Sequence, residues 1–198
     1  MITARTAARA TLATALIGST VVGGAARWQE RRVVFEEAQR RAAATGRRLV
    51  VVGDPHAGMQ TRVLPAYGCG DVCVDLTGCP ACPPGVGVAA DITRDRIDRV
   101  PDDSAVVYVS CVLEYVSDPE AAVRELMRMA GSQENLFVVS VQPWTLAATF
   151  YPGARQTVTR RPDGTLVFSR VTTAQKAAIA AALVALGVVA FGPSRRRR

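Results

Sequence analysis

The chain reads as an α/β domain on a doubly wound, mostly parallel sheet, flanked by N- and C-terminal apolar helices. Three observations carry this. Short runs rich in Val, Ile and Leu recur through the middle of the chain, each closed by Gly, Pro or Asp, as buried parallel strands are. Before the last of them stands a segment with a helical apolar period and its own start signal. Long charge-free stretches occupy both ends, at 10–26 and 177–194. A length of 198 residues suits one domain with a real core rather than two of ordinary size.

Residues 1–27 form the N-terminal apolar segment. Its core, ATLATALIGSTVVGGAA, is 17 residues without a charge, at the lower limit of about 17 for a spanning helix. A basic start and small residues at 24–26 also fit a signal peptide, and the lack of any acid before Glu30 fits an organelle-targeting segment. Of the three, a membrane anchor is preferred. Residues 28–46 read as an amphipathic helix: Trp28, Phe35, Ala38 and Ala42 recur near helical spacing, the arginines take the solvated faces, and Gly46 is the stop.

The domain itself spans 47–171. RLVVVG (48–53) is its first strand, HAGMQTRVL (56–64) a short helix ended by Pro65, and DVCVDL (71–76) the second strand. GVGVAADI (85–92) is the third, followed by a helical turn over Asp95–Arg99. SAVVYVSCVL (104–113) begins as the fourth strand. Asp118 then has the chemistry of an N-cap and Pro119 of a first helical residue, with Ala122, Val123, Leu126, Met127 and Ala130 on the core face. NLFVVSVQP (135–143) is the fifth strand, and RQTVTRRPDGTLVFSRV a hairpin about Pro162-Asp163-Gly164. Residues 172–194 read as a second apolar helix and the better membrane anchor, because the basic tail 195–198 would hold its end at lipid headgroups.

The net charge of +7 is unevenly spread. Residues 1–53 carry nine basic and three acidic groups, 54–135 six and thirteen, and 136–198 nine and one. An acidic middle between basic ends argues against a specific nucleic-acid binder, which concentrates positive charge on its binding domain. Basic ends suit a membrane surface, where each Lys or Arg contributes about 1 kcal/mol near anionic lipid.

The segment SAVVYVSCVLEYVSDPEAAVRELMRMAGSQENLFVVSVQPW resembles class I S-adenosylmethionine-dependent methyltransferases, which have a Rossmann-like fold. The likeness rests on Leu113, Glu114, Tyr115, Val116, Asp118 and Pro119, then on Glu125, Leu126 and Arg128, then on the strand Phe137–Val141. It extends over about residues 47–145. It implies that Asp75, closing the second strand, accepts hydrogen bonds from the cofactor's ribose hydroxyls, a role a strand-end carboxylate suits. It implies that Asp91 and Ile92 meet the adenine, the carboxylate at the exocyclic amine and the side chain against the ring. It places Gly53 and Gly58 in the loop that passes the cofactor. In that loop, VVVGDPHAG, Val51 stands where the family has an acid and Pro55 where it has a second glycine, with Asp54 as a replacement acid. Proline cannot donate a backbone N–H. His56, the sole histidine, is a candidate general base or an ordinary loop residue. Tyr115 is a candidate substrate-facing group or a core residue.

Five cysteines are present. Cys79-x-x-Cys82 has the spacing of half a zinc knuckle, but Cys69-x3-Cys73 is an unusual second half. Cys73 and Cys111 fall in predicted strands, where cysteine behaves as a small hydrophobe. Free thiols are the preferred state, with Cys79 and Cys82 left as a metal or redox pair; no metal site is assigned. The functional expectation is a membrane-associated protein that transfers a methyl group from S-adenosylmethionine to a small or membrane-proximal acceptor. Its alternative is a catalytically inactive relative of the same fold, a structural component of a membrane-associated assembly with protein partners.

Overall fold

The structure, a computed structural model, describes residues 4–57, 64–140 and 154–171, with side chains of the first helix described from Gly24. Most of the expected helix at 56–64, the end of the fifth predicted strand, and the C-terminal run 172–194 with its basic tail lie outside the described residues. The first helix, α1 (Ala4–Thr45), joins the N-terminal apolar run and the amphipathic helix without a break. Among the described residues no helix is long and apolar enough to cross a membrane.

Five parallel strands follow: β1 (Arg48–Val52), β2 (Val72–Asp75), β3 (Gly87–Ala89), β4 (Ala105–Ser110) and β5 (Leu136–Val139), in the order β3-β2-β1-β4-β5. A helix, α2 (Pro119–Ala130), connects β4 to β5. The register sets Val51 beside Cys73 on one side and Tyr108 on the other. Side chains alternate across the pleat. Val50, Val52, Val74, Val107 and Val109 therefore face one layer with Leu126 and Met129 of α2. Val51, Cys73, Val106 and Tyr108 face the other with Phe35, Ala38 and Ala42 of α1. The result is the expected α/β architecture on a five-stranded parallel sheet, with one helix on each face among the described residues.

Local chemistry explains the boundaries. The Asp118 side chain accepts from the Ala121 N–H at 2.9 Å, and Gly131, at φ 70°, closes α2 by donating to the Met127 carbonyl. Ala122, Leu126 and Ala130 are buried and the half-buried Met127 packs against the same core, as expected; Met129 joins them, while Val123 is half-buried and outside the cluster, a correction to the expected core face. The helical turn expected at Asp95–Arg99 sits four residues earlier: the N–H groups of Arg94 and Asp95 both bond the Asp91 carbonyl, at 2.9 and 2.8 Å. Arg32 and Arg40 of α1 stay on the solvated face, paired with Glu36 and Glu37, but three other arginines differ from expectation. Arg27 donates to the Ser140 carbonyl at 2.6 Å, Arg31 to the Cys111 sulfur at 2.9 Å, and Arg41 to the Asn135 side chain at 2.9 Å. They flank the Phe35–Ala38–Ala42 stripe at helical spacing, so their long stems reach the sheet's edge instead of solvent.

A separate antiparallel pair, β6 (Gln156–Arg160) and β7 (Leu166–Arg170), forms the hairpin expected about Gly164, which has φ 87°. It is fastened to the segment after β4: the Arg155 N–H and the Gln156 side-chain amide donate to the carbonyls of Glu114 and Leu113, at 2.7 and 2.6 Å.

Candidate functional site

Strands β1 and β4 are neighbours from which the chain winds in opposite directions, to β2 and β3 on one side and β5 on the other. The loops leaving the carboxyl ends of two such strands diverge, opening a crevice where α/β sheets bind ligands. A cavity of about 340 Å³ lies there. Gly53, Asp75, Asp91, Ile92, Tyr115 and Arg155 line it. A more open concavity of about 600 Å³ lies at the opposite, amino end of the sheet, between α1 and residues 68–71; it has no strand-end carboxylate pair.

Gly53 forms the wall between β1 and β4. Its φ of 103° is one that residues with a Cβ rarely adopt, and a Cβ there would stand 2.8 Å from Val112 Cγ2 and 3.0 Å from the Ser110 carbonyl oxygen. Its N–H bonds the Val74 carbonyl at 2.9 Å. Gly53→Ala is expected to cost about 1–3 kcal/mol through this backbone strain, read as a lower urea midpoint at unchanged m. A loss below about 0.5 kcal/mol would show that the loop relaxes freely.

Four of the six cofactor-contact residues expected from the sequence, Gly53, Asp75, Asp91 and Ile92, meet in this one cavity. Asp75 closes β2, but its carboxylate already has partners. One oxygen accepts from the Asp54 N–H at 3.1 Å, and the other from the N–H and hydroxyl of Thr77, both at 2.9 Å. Asp91 accepts similarly from the N–H and hydroxyl of Thr93, at 2.9 and 2.7 Å, and these bonds hold it below the usual carboxylate range. Asp54 is not among the lining residues: its carboxylate accepts the His56 N–H at 2.8 Å in a tight turn, so it organises the loop. His56 stays with that turn and does not line the cavity. Gly58 lies outside the described residues.

Sequence reasoning missed Cys111, Val112 and Arg155 as lining residues. Cys111 turns off β4 at φ 53°, in the left-handed region, which left no composition signal. Burial pushes its thiol up, against the pull of the adjacent Arg31, which makes it a poor nucleophile near neutrality. Tyr67, beneath the same corner, is pushed up to about 12 by burial and stays a neutral phenol.

The cysteines correct a second expectation. Cys69 is bonded to Cys82 and Cys73 to Cys79; only Cys111 is free. Free thiols at these four positions, and Cys79 with Cys82 as a pair, are both replaced by this pairing. The cause is tertiary: the loop after β2 folds back over the strand, with Gly87 packed so tightly on the Gly78 carbonyl that no Cβ fits between them. Comparison of the chain with family models, curated proteins and solved structures finds no match.

Proposed function

We propose that the cavity at the carboxyl ends of β1, β2 and β4 binds S-adenosylmethionine, and that the domain transfers its methyl group to a small or membrane-proximal acceptor. The observation that carries this is the convergence of two carboxylates, Asp75 at the end of β2 and Asp91 two residues beyond β3, with the apolar Ile92 in the crevice between β1 and β4. Carboxylates can accept from ribose hydroxyls and an adenine amine, and Ile92 can pack on the ring. Such a site acts by holding acceptor and sulfonium in line, which requires no acid or base from the protein when the acceptor is already nucleophilic. On this reading the fold is Rossmann-like and doubly wound, with apolar helices at both ends. The C-terminal run 172–194 is its membrane anchor, and protein partners and lipid are its surroundings rather than nucleic acid.

A second reading has its own support. The Asp75 oxygens are occupied by Asp54 and Thr77, and Pro55 stands where the family has a second glycine in the first loop. On that reading the fold is kept as a packing module in a membrane-associated assembly. Calorimetric titration of detergent-solubilised protein with S-adenosylmethionine separates the two. The enzyme reading expects saturable binding, weakened roughly tenfold or more by Asp75→Ala through loss of charge-assisted hydrogen bonds. A wild-type chain silent at millimolar ligand overturns it and leaves the packing module. Carbonate extraction of membranes carrying residues 1–175 or the full chain tests the anchor: equal partitioning rules out a C-terminal span.

A further inference from the structure

Two disulfides account for four cysteines, but they do not lie apart as two staples would. The sulfurs of Cys73, Cys79 and Cys82 are all within 4.8 Å of one another, and Cys69 is bonded to Cys82, so all four form one cluster. The bonds close only 6 and 13 residues of chain, the shorter loop nested in the longer. Much of what one removes from the unfolded chain the other has already removed, so loop closure alone is a weak reason for both.

We propose that the reduced cluster is a tetrathiolate site for a zinc-type cation, and that the paired disulfides are its metal-free, oxidised state. Zinc in a structural site is tetrahedral with sulfur at about 2.3 Å, which sets ligand sulfurs about 3.8 Å apart. Three of the sulfurs already lie within 4.8 Å of each other, and Cα separations of 5.8 and 6.2 Å across the two pairs leave room for small χ1 rotations to open each bond around an ion. The supporting backbone is prearranged. Gly78 and Cys79 both have left-handed φ, 75° and 52°, and the Cys82 N–H bonds the Cys79 carbonyl at 3.0 Å, forming a tight Cys-Pro-Ala-Cys turn. Cys73 and Cys79 are buried while Cys69 and Cys82 are half-buried, which gives a fixed inner pair and an open side for the ion to enter.

The chemistry balances without any group of the cavity. Two equivalents of a dithiol reductant convert the two disulfides to four thiols and are themselves oxidised to disulfides. Binding of Zn²⁺ then releases the four thiol protons as four metal–sulfur bonds form. Two equivalents of hydrogen peroxide reverse the state: each accepts two electrons and two protons to give water, two disulfides form, and the ion leaves. Because the Gly78 N–H bonds the Asp75 carbonyl at 3.0 Å, the cluster also braces the turn that carries Asp75.

The full chain, expressed in a reducing cytosol and purified in detergent without metal-affinity steps or chelator, should carry about one zinc per chain by elemental analysis. Reduced, metal-stripped protein titrated with Co²⁺ should develop thiolate-to-cobalt charge transfer and the intense red d–d bands of a tetrahedral thiolate site. Cys82→Ser should reduce zinc content and cobalt intensity several-fold, while Cys111→Ser, outside the cluster, keeps both. Peroxide should release the zinc with loss of four titratable thiols. Reduced wild-type protein that is folded by circular dichroism, yet takes up neither zinc nor cobalt, overturns the proposal whatever the variants do. So does a cobalt spectrum unchanged by Cys82→Ser.

Discussion

Arg128→Met is expected to lower the stability of the domain by about 2–3 kcal/mol, the scale of charge-assisted hydrogen bonds lost from one side of a part-buried ion pair. Arg128 and Glu125 are one helical turn apart on α2, and their side chains are only 14% and 12% exposed. The guanidinium meets the carboxylate in bidentate fashion, at 2.8 and 2.6 Å. It also donates to the Val100 carbonyl at 2.9 Å and to the Asp102 carboxylate at 2.5 Å. Glu125 in turn accepts the Ile97 N–H at 2.8 Å. These two side chains thus hold residues 97–102 of the connection from β3 to β4 against α2, on the face opposite α1. Methionine would fill much of the volume but leave a carboxylate desolvated and a loop carbonyl without its donor. The double variant Glu125→Gln/Arg128→Met removes the stranded charge while keeping an acceptor for Ile97, so it should cost less than Arg128→Met alone. If the double variant is the worse of the two, charge burial is not the source of the loss.

The same pair sets a pH dependence. Burial raises the Glu125 pKa, but the Arg128 bonds and the Ile97 N–H outweigh it and hold the carboxyl below the usual glutamate range. A group depressed in the folded state contributes stability that is present above its unfolded pKa and is lost as pH falls through the folded value. The unfolding midpoint of the wild-type chain should therefore drop below about pH 4.3, the ordinary glutamate value. Glu125→Gln should flatten that fall. It will not abolish it, because Asp91, Asp102 and Asp163 are displaced in the same direction by their own hydrogen bonds.

Glu125 and Arg128 also show what the sequence could and could not reveal. Their spacing on α2 was legible, as were the valine-rich strands, the Asp118-Pro119 helix start and the Gly164 hairpin, because each depends on residues a few positions apart. The family resemblance singled out Gly53, Asp75, Asp91 and Ile92, and they line one cavity because the loops leaving the carboxyl ends of parallel strands share one edge of the sheet. The remainder depended on contacts across long stretches of chain. Arg155 enters the cavity because the hairpin is bonded back to Leu113 and Glu114, about forty residues earlier. Arg31 reaches Cys111 across 80 residues, so a charge that periodicity assigns to solvent ends in a sulfur contact. The cysteine pairing follows from a loop whose path is set by the close approach of Gly78 and Gly87, which no spacing rule encodes.

The largest apolar effect should come from Phe35→Ala, at about 3–5 kcal/mol for lost burial plus the void left behind. Phe35 is 7% exposed and is the chief side chain of α1 in the layer beneath the sheet. Its ring meets Tyr108 nearly edge-on, with centroids 5.3 Å apart and planes at 77°, and Tyr67 at 6.0 Å. Tyr67 and Tyr108 close the triangle at 5.0 Å. The Tyr108 hydroxyl donates to the Arg31 carbonyl at 3.1 Å, so aromatic packing and a hydrogen bond fix the same turn of α1. Removing the ring should loosen that turn and with it the contacts of Arg27 and Arg31 at the sheet's carboxyl edge. Phe35→Leu refills most of the space and should cost less than about 1.5 kcal/mol. Because α1 is continuous from Ala4 to Thr45, this contact also fixes the direction in which the N-terminal segment leaves the domain. Urea unfolding of a Trp144→Phe background, in which emission comes from Trp28 alone, reads the effect; the Trp28 indole donates to the Leu64 carbonyl at 3.1 Å. A single transition shifted to lower urea at constant m would place α1 in the domain's cooperative unit. An early Trp28 transition, with the sheet unfolding later, would show instead that α1 is docked on a domain that folds without it.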